Sequence, residues 1–387
     1  MGRIEEFLHK REESNLLRVL DPAAYKEGGF IYFNGKKYLD FSSNDYLGLS
    51  QHPRLKKAAK RVIEEFGIGC SASRLLSGDF DLHHCLEEEI AKFKGKEAGL
   101  VFNSGYQANV GIISSLCKRG DVIFSDKLNH ASIIDGIIMS GAKFFRFRHN
   151  DLNHLHTLLK KERGKFKTSL IVTETIFSME GDKPPLRELV RLKEKYDCLI
   201  MVDEAHATGI FGEKGSGVVE EENLTEKIDI IMGTFSKALG SFGAYVVSSE
   251  KVKQYFINKC RSFIYSTALP LPIIAANLES INIVKEESQR RKYLLENCRY
   301  LRRRLQEKGF NVRGCSQIVP WIIGEEKQAI YLSNLLQKEG VRALPIRFPT
   351  VPKGEARIRF SVTYYHTRDI LDNLINVLSK TDQISLH

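Results

Sequence analysis

The chain is 387 residues long, 42% apolar and 27% charged, with 58 Lys and Arg against 48 Asp and Glu, a net charge of +10. This length suits a large domain plus a smaller one, the balance is that of a soluble globular protein, and no apolar run reaches the ~20 residues that span a bilayer. The basic excess in Lys285–Arg304 is interleaved with Glu and Gln, which fits a solvated helix face rather than a nucleic-acid stripe, and the positive sign also suits an anionic substrate such as a coenzyme A thioester.

Residues 1–20 are expected to be helical, with Ile4, Phe7, Leu8, Leu16 and Leu17 forming an apolar stripe. The segment lacks the apolar centre of a signal peptide, so a cytoplasmic location is expected. Phe30–Phe41 has the pattern of a β-hairpin, with Asn34-Gly35 supplying the positive φ angles of a type I′ turn. A polar loop over Ser42–Gly48 precedes a helix over Pro53–Phe66. From about 86 to 250, apolar runs at Gly99–Phe102, Val122–Phe124, Ser169–Thr173, Leu199–Val202, Ile228–Met232 and Ala244–Val247 are separated by helical stretches that include Gln107–Lys118, Ser132–Ser140 and Leu186–Tyr196. This alternation predicts an α/β fold, a mainly parallel sheet with helices on both faces. A charged helical stretch near 271–308 leads into a second, α+β unit, whose clearest strand sets Ile358, Phe360 and Val362 on one face and Arg357, Arg359 and Ser361 on the other. The expected division is an N-terminal arm over 1–45, a large domain over 46–279 and a small domain over 280–387.

Seven scattered cysteines contain no Cys-x-x-Cys pair, so neither a disulfide framework nor a zinc site is expected. The adjacent His83, His84 and Cys85 point in different directions on a helix and cannot share a tetrahedral ion.

Chemistry gathers where strands pass into loops. Phe102–Asn109 joins a strand to a helix, so Ser104, Gly105 and Tyr106 can offer a phosphate the free N–H groups of a helix N-terminus; an ordinary capped helix is the plainer alternative. Asn129–Ser132 carries His130, either laid against a cofactor ring or merely structural. Thr173–Gly181 places Glu174 and Ser178 just after a buried strand. Leu199–His206 ends a strand on Asp203, with His206 three residues on. A carboxylate there can pair with the pyridine nitrogen of pyridoxal phosphate (PLP), and His206 can reach its phenolic oxygen, although a helix cap or a metal pair would look the same. In Ile231–Gly240, Lys237 sits among small residues, with Thr234 and Ser236 offering hydroxyls. A lysine so placed can become a neutral amine that forms a Schiff base. Arg359 can clamp a substrate carboxylate or lie beside Arg357 in solvent.

Asn44-Asp-Tyr-Leu-Gly48, Ser73-Arg-Leu-Leu-Ser-Gly78, Asn129-His-Ala-Ser132, Asp203-Glu-Ala-His206 and Thr234-Phe-Ser-Lys237 together resemble the α-oxoamine synthases, PLP enzymes of the aspartate-aminotransferase fold (fold-type-I PLP-dependent transferases), from about Asn15 to Leu378. Within that family, Ser73–Gly78 and Pro349-Thr-Val-Pro352 are most similar to the biotin-pathway branch. The resemblance implies Lys237 as the Schiff-base lysine, Asp203 on the pyridine nitrogen, His206 on the phenolic oxygen, and His130 stacked on the ring with Ser178 beside it. It places Gly105, Tyr106 and Thr234 at the phosphate end, and Arg18, Asn44, Thr350 and Arg359 toward substrate. The reaction it implies is a decarboxylative condensation of L-alanine with pimeloyl-CoA or pimeloyl-acyl-carrier protein in a homodimer. Other expectations are another member's activity, such as that of a glycine acetyltransferase, or a non-catalytic partner subunit, against which the intact Lys237 setting counts. The sequence departs from the family at Cys70-Ser-Ala72 and at Asp79-Phe80.

Overall fold

In a computed structural model, which describes residues 2–385, the chain divides into two units. One comprises the chain up to Gly48, Met179–Asp182 and Lys292 onward; the other comprises Leu49–Ser178 and Lys183–Arg291. Met1, Leu386 and His387, the ends of the expected arm and small domain, lie outside the described residues.

The first unit begins with helix α1 (Gly2–Glu13) and strands β1 (Tyr25–Glu27), β2 (Phe30–Phe33) and β3 (Lys36–Asp40). The hairpin turn forms as its sequence requires, with φ of 47° at Asn34 and 74° at Gly35. Helix α1 ends earlier than the expected residue 20 and buries none of its residues, so the Ile4–Phe7–Leu8 stripe stays exposed.

The second unit follows with α2 (Pro53–Phe66), α3 (Asp81–Lys94), β4 (Ala98–Phe102), α4 (Gly105–Leu116), β5 (Val122–Asp126), α5 (Ala131–Ser140), β6 (Lys143–Phe147), α6 (Leu152–Glu162), β7 (Ser169–Glu174), α7 (Leu186–Lys195), β8 (Leu199–Asp203), α8 (Val218–Glu221), β9 (Ile230–Thr234), β10 (Ala244–Ser248), α9 (Glu250–Lys259), α10 (Arg261–Ile264) and α11 (Leu271–Glu286). Its seven strands lie in the order β4-β10-β9-β8-β7-β5-β6. Strands β5 to β9 pair in parallel, and β10 runs antiparallel to both β9 and β4. Strands β4, β5, β7, β9 and β10 are buried along their whole length, which is why they read as unbroken apolar runs rather than alternating ones. Between the sheet and helices α4 and α5, Leu100, Ile112, Ile133, Val172, Met201, Met232 and Val246 share one apolar core. Strand β6 escapes the apolar-run criterion because it is an edge strand: Lys143 and Arg146 interrupt its phenylalanines and keep the edge in water.

After helix α12 (Ser288–Glu307), the first unit resumes with β11 (Ile318–Gly324), α13 (Glu326–Lys338), β12 (Val341–Arg342), β13 (Pro345–Ile346), β14 (Ala356–Ser361) and α14 (Arg368–Ser385). Its sheets are β1-β2-β3-β12 and β11-β14-β13. The arm is not a separate body, because β3 pairs with β12 and Phe41 O accepts the Ser361 N–H at 2.8 Å. The boundary falls at 291/292 rather than 279/280, because α11 buries Ile274, Ile281 and Val284 in the second unit, where it packs on α2 and α3. Strand β14 is buried on both faces rather than one, because Arg357 meets Glu180 and Glu355 and Arg359 meets Asn44 and Tyr46.

Candidate active site

Lys237 is carried by a closed loop between β9 and β10. Phe235 N–H donates to Gly243 O at 3.0 Å, Ser241 N–H to Phe235 O at 2.9 Å, and Gly240 N–H to Lys237 O at 2.9 Å. Phe235, Ala238 and Leu239 are buried and anchor the loop, leaving Ser236 exposed and Lys237 half-buried. Gly240 has φ of 65°, and a Cβ there would lie 2.4 Å from Ser50 N and 2.5 Å from Leu49 C, so only glycine lets the loop lie this close to the chain at Leu49–Ser50. The Thr234 hydroxyl donates to Gly243 O at 2.7 Å and accepts the Ser236 N–H at 3.1 Å, while Ser236 Oγ lies 3.2 Å from the same carbonyl. A phosphate taking either hydroxyl proton would draw it away from Gly243 O.

Asp203 ends the buried strand β8, and the chain turns at once through Glu204–Thr208. One carboxylate oxygen of Asp203 accepts the Ala205 N–H at 2.8 Å and the other accepts the Asn109 side-chain amide at 2.8 Å. The turn is fixed from below by Glu204, which is fully buried, pairs with the buried Lys94 and accepts the Val219 N–H at 3.0 Å. His206 is thereby placed with Nε2 at 2.7 Å from Lys237 Nζ, linking the two motifs.

His130 caps α5. Its Nδ1 accepts the Ser132 N–H at 3.2 Å and lies 2.8 Å from Ser132 Oγ, while its own backbone N–H donates to the buried Glu174 carboxylate at 2.6 Å. The ring keeps an accessible face, yet the protein packed around its remainder lowers its pKa; Asp203 and Asp135 oppose that shift and Lys237 adds to it. Ser104 caps α4 by accepting the Gln107 N–H at 3.2 Å. Among the described residues, no protein group accepts from the N–H groups of Gly105 and Tyr106, the first two residues of that helix. The Tyr106 side chain is committed elsewhere, to Asp135. Ser178 is half-buried, four residues beyond the end of β7.

In the first unit, Arg359 is buried. Its guanidinium donates to Asn44 Oδ1 at 3.2 Å, to the Tyr46 hydroxyl at 3.0 Å and to Ser361 Oγ at 2.8 Å. This corrects the solvent-facing alternative: Arg359 is a desolvated cation oriented by neutral oxygens. The exposed Arg18 donates to Thr350 Oγ1 at 3.1 Å, joining two of the substrate-side residues. At the departures from the family pattern, Asp79 pairs with Arg74 and His84, Arg74 also pairs with the buried Glu87, and Cys70 Sγ lies 3.3 Å from Leu269 O.

The donors of the second unit fit PLP. Lys237 would supply an amine for the aldehyde, Asp203 an oriented carboxylate for the pyridine nitrogen, His206 a ring nitrogen for the phenolic oxygen, and α4 two uncommitted N–H groups for the phosphate. Sequence reasoning missed Asn109 and Ser132, which link Asp203 to His130 (Asn109 Nδ2 to Ser132 Oγ, 3.0 Å). Asn109 and Ser132 stand at the ends of the Phe102–Asn109 and Asn129–Ser132 motifs, and the signal passed over was a polar residue on the buried side of a helix.

Fold and donor set define a fold-type-I PLP-dependent transferase. Residues 36–378 match the family described as aminotransferase class I and II. Proteins provisionally named 8-amino-7-oxononanoate synthase are 47% identical over 380 residues in Bacillus cereus strain Q1 (97% of this chain, 95% of theirs) and 49% identical over 362 residues in Bacillus anthracis (93% and 91%). Among solved structures, a serine palmitoyltransferase of Sphingomonas wittichii overlays with a TM-score of 0.92 at 30% identity, covering 99% of this chain and 98% of its own. An 8-amino-7-oxononanoate synthase of Francisella tularensis overlays with a TM-score of 0.78 at 30% identity, covering 90% and 99%. The chain belongs to the aminotransferase class I and II family and, within it, to the α-oxoamine synthases, PLP-dependent acyltransferases.

Proposed function

We propose that the protein condenses L-alanine with a pimeloyl thioester, carried by coenzyme A or acyl-carrier protein, to give 8-amino-7-oxononanoate, carbon dioxide and the free thiol, a step of biotin biosynthesis. The observation that carries the substrate choice is the 47–49% identity, over nearly the whole chain, to relatives bearing that enzyme's name. Overall shape does not select the acyl group, since the serine palmitoyltransferase overlays at least as well.

When bound, PLP supplies an aldehyde that captures the amino acid and a protonated ring that accepts the electron pair left at Cα. The chain supplies the remainder. Gly105 and Tyr106 N–H groups, with Thr234 and Ser236, hold the phosphate. Asp203, oriented by Asn109 and Ala205, holds the proton on the pyridine nitrogen. Lys237 Nζ takes the Cα proton of alanine and returns one to Cα after carbon dioxide has left, and His206 keeps that amine in place from 2.7 Å. His130 would stack on the ring with Ser178 beside it, and Glu174 holds the His130 backbone N–H at 2.6 Å. Arg359 with Asn44 binds a substrate carboxylate, and Arg18 with Thr350 serves the distal end of the acyl chain. We assign a homodimeric state on the family resemblance.

The experiment compares kcat/KM for pimeloyl, octanoyl, acetyl and succinyl thioesters with alanine and with glycine, and identifies the product by mass. Preference for alanine should be modest, since one methyl in an apolar pocket supplies ~1–3 kcal/mol. Preference for the pimeloyl chain should be larger, because a cation set for a distal carboxylate is left unpaired without it. If glycine with the acetyl thioester reacts fastest, the protein is an acetyltransferase of the same family. If octanoyl equals pimeloyl, Arg18 reads no carboxylate.

A further inference from the structure

We propose that Asn109 and Ser132 are positioning residues that tie His130 to Asp203 and hold the His130 imidazole as its Nε2–H tautomer, so that it meets the substrate as a neutral hydrogen-bond donor; the proposal rests on the PLP-site reading above, not on the choice of acyl thioester.

Asp203 and Asn109 lie on β8 and α4, and Ser132 and His130 open α5; Asn109 and Ser132 are 1% and 0% exposed, so the groups must satisfy one another. The orientation of the Asn109 amide is forced, because turning it over would set its oxygen against the Asp203 carboxylate, acceptor to acceptor. Its nitrogen therefore donates one proton to Asp203 Oδ2 at 2.8 Å and the other to Ser132 Oγ at 3.0 Å, and Asn109 Oδ1 has no partner among the described residues. Ser132 Oγ, having accepted there, keeps its own proton to give, and His130 Nδ1 lies 2.8 Å away.

The Ser132 backbone N–H also points at Nδ1, at 3.2 Å. A proton on Nδ1 would face that N–H, donor to donor. Nδ1 is thus an acceptor and the neutral ring carries its proton on Nε2. The charges around the ring do not reverse this. Asp203 on β8 and Asp135 on α5 favour the cation, Glu174 on β7 is engaged by the His130 backbone, and Lys237 and the partial positive charge at the start of α5 oppose the cation. The shift is downward, in keeping with a neutral ring near physiological pH.

The test uses the holoenzyme with isotopically labelled histidine and long-range proton–nitrogen NMR, the His130 signal being assigned by its loss in His130→Asn. Near neutral pH, Nδ1 should be unprotonated and Nε2 protonated; an Nδ1–H ring or an imidazolium overturns the proposal. Ser132→Ala removes the hydroxyl donor and leaves the backbone one. The ring should then gain proton affinity by roughly fivefold, about 0.7 of a pH unit, and the acid limb of kcat/KM should move up with it. Ser132→Thr, which keeps the hydroxyl, should restore both. A Ser132→Ala enzyme that loses only thermal stability or PLP occupancy, with ring titration and acid limb unmoved, overturns the positioning role. The tautomer is read with no thioester present. An enzyme that condenses other substrates therefore leaves this proposal standing, and a wrong tautomer leaves the condensation standing.

Discussion

Asp203 shows how one side chain acquires its role from position. It closes a buried strand, both of its oxygens are held by N–H donors, and it lies at the carboxyl end of the sheet, where open α/β folds bind ligands. Replacing it by asparagine keeps the shape and removes the charge that, in the proposed role, would hold the pyridine proton. Asp203→Asn should retain PLP yet lose more than tenfold in kcat, since a charge-assisted contact in the transition state is worth ~2–4 kcal/mol. Near-normal turnover in that variant would reduce Asp203 to a structural cap. Lys237, Asp203 and His206 stood out in the sequence as candidates because each lies in a short motif at or just after the end of a strand. Asn109 and Ser132 did not, because their function lies in what they touch, and a polar residue on a buried helix face looks like any other until its partner is placed.

At the scale of the element, the loop between β9 and β10 is closed by backbone hydrogen bonds and by Thr234 Oγ1, and its tightest point is Gly240. Gly240→Ala meets both an unfavourable φ and two backbone atoms that cannot move independently. It should destabilise the protein by ~1–3 kcal/mol and weaken PLP binding as the loop shifts, read by urea unfolding and by cofactor retention on dialysis. Unchanged retention would mean that the loop tolerates displacement. The buried strands, the Asn34-Gly35 hairpin and the helix over Pro53–Phe66 were all readable from periodicity and turn chemistry. Strand β6 was hidden by the charges that protect an edge, and the depth of β14 by the arginines it carries. Arg357 and Arg359 look solvent-facing in an alternating pattern, yet both are buried, Arg357 against Glu180 and Glu355 and Arg359 against Asn44 and Tyr46. Pattern alone cannot tell an exposed cation from one desolvated by partners far away in sequence.

Across the whole molecule, stability should depend on pH through His366. This side chain is fully buried, stacks on Phe41 with centroids 4.0 Å apart, and accepts the Thr363 N–H at Nδ1. Burial lowers its pKa from 6.5 to about 4. The unfolded chain therefore binds the extra proton first as pH falls, so the contribution is complete above about pH 6.5 and is lost toward about pH 4. It amounts to ~3 kcal/mol across that window. His366→Asn keeps an acceptor for Thr363 and removes the titration, so urea midpoints measured near neutrality and in mild acid should lie closer together than in the wild type. Equal acid sensitivity in both proteins would assign the effect to other groups. The division into units was harder to read than the strands, because the arm joins the C-terminal strands only through pairings made far along the chain.

Lys237 is proposed as the residue that holds PLP, and every other role at the site follows from it. The direct measurement is borohydride reduction of the purified holoenzyme, followed by proteolysis and mass mapping of the pyridoxyl label. The label is predicted on the peptide carrying Lys237 and absent from a Lys237→Ala protein; a stable label on any other lysine of the wild-type chain, or none at all, would contradict it.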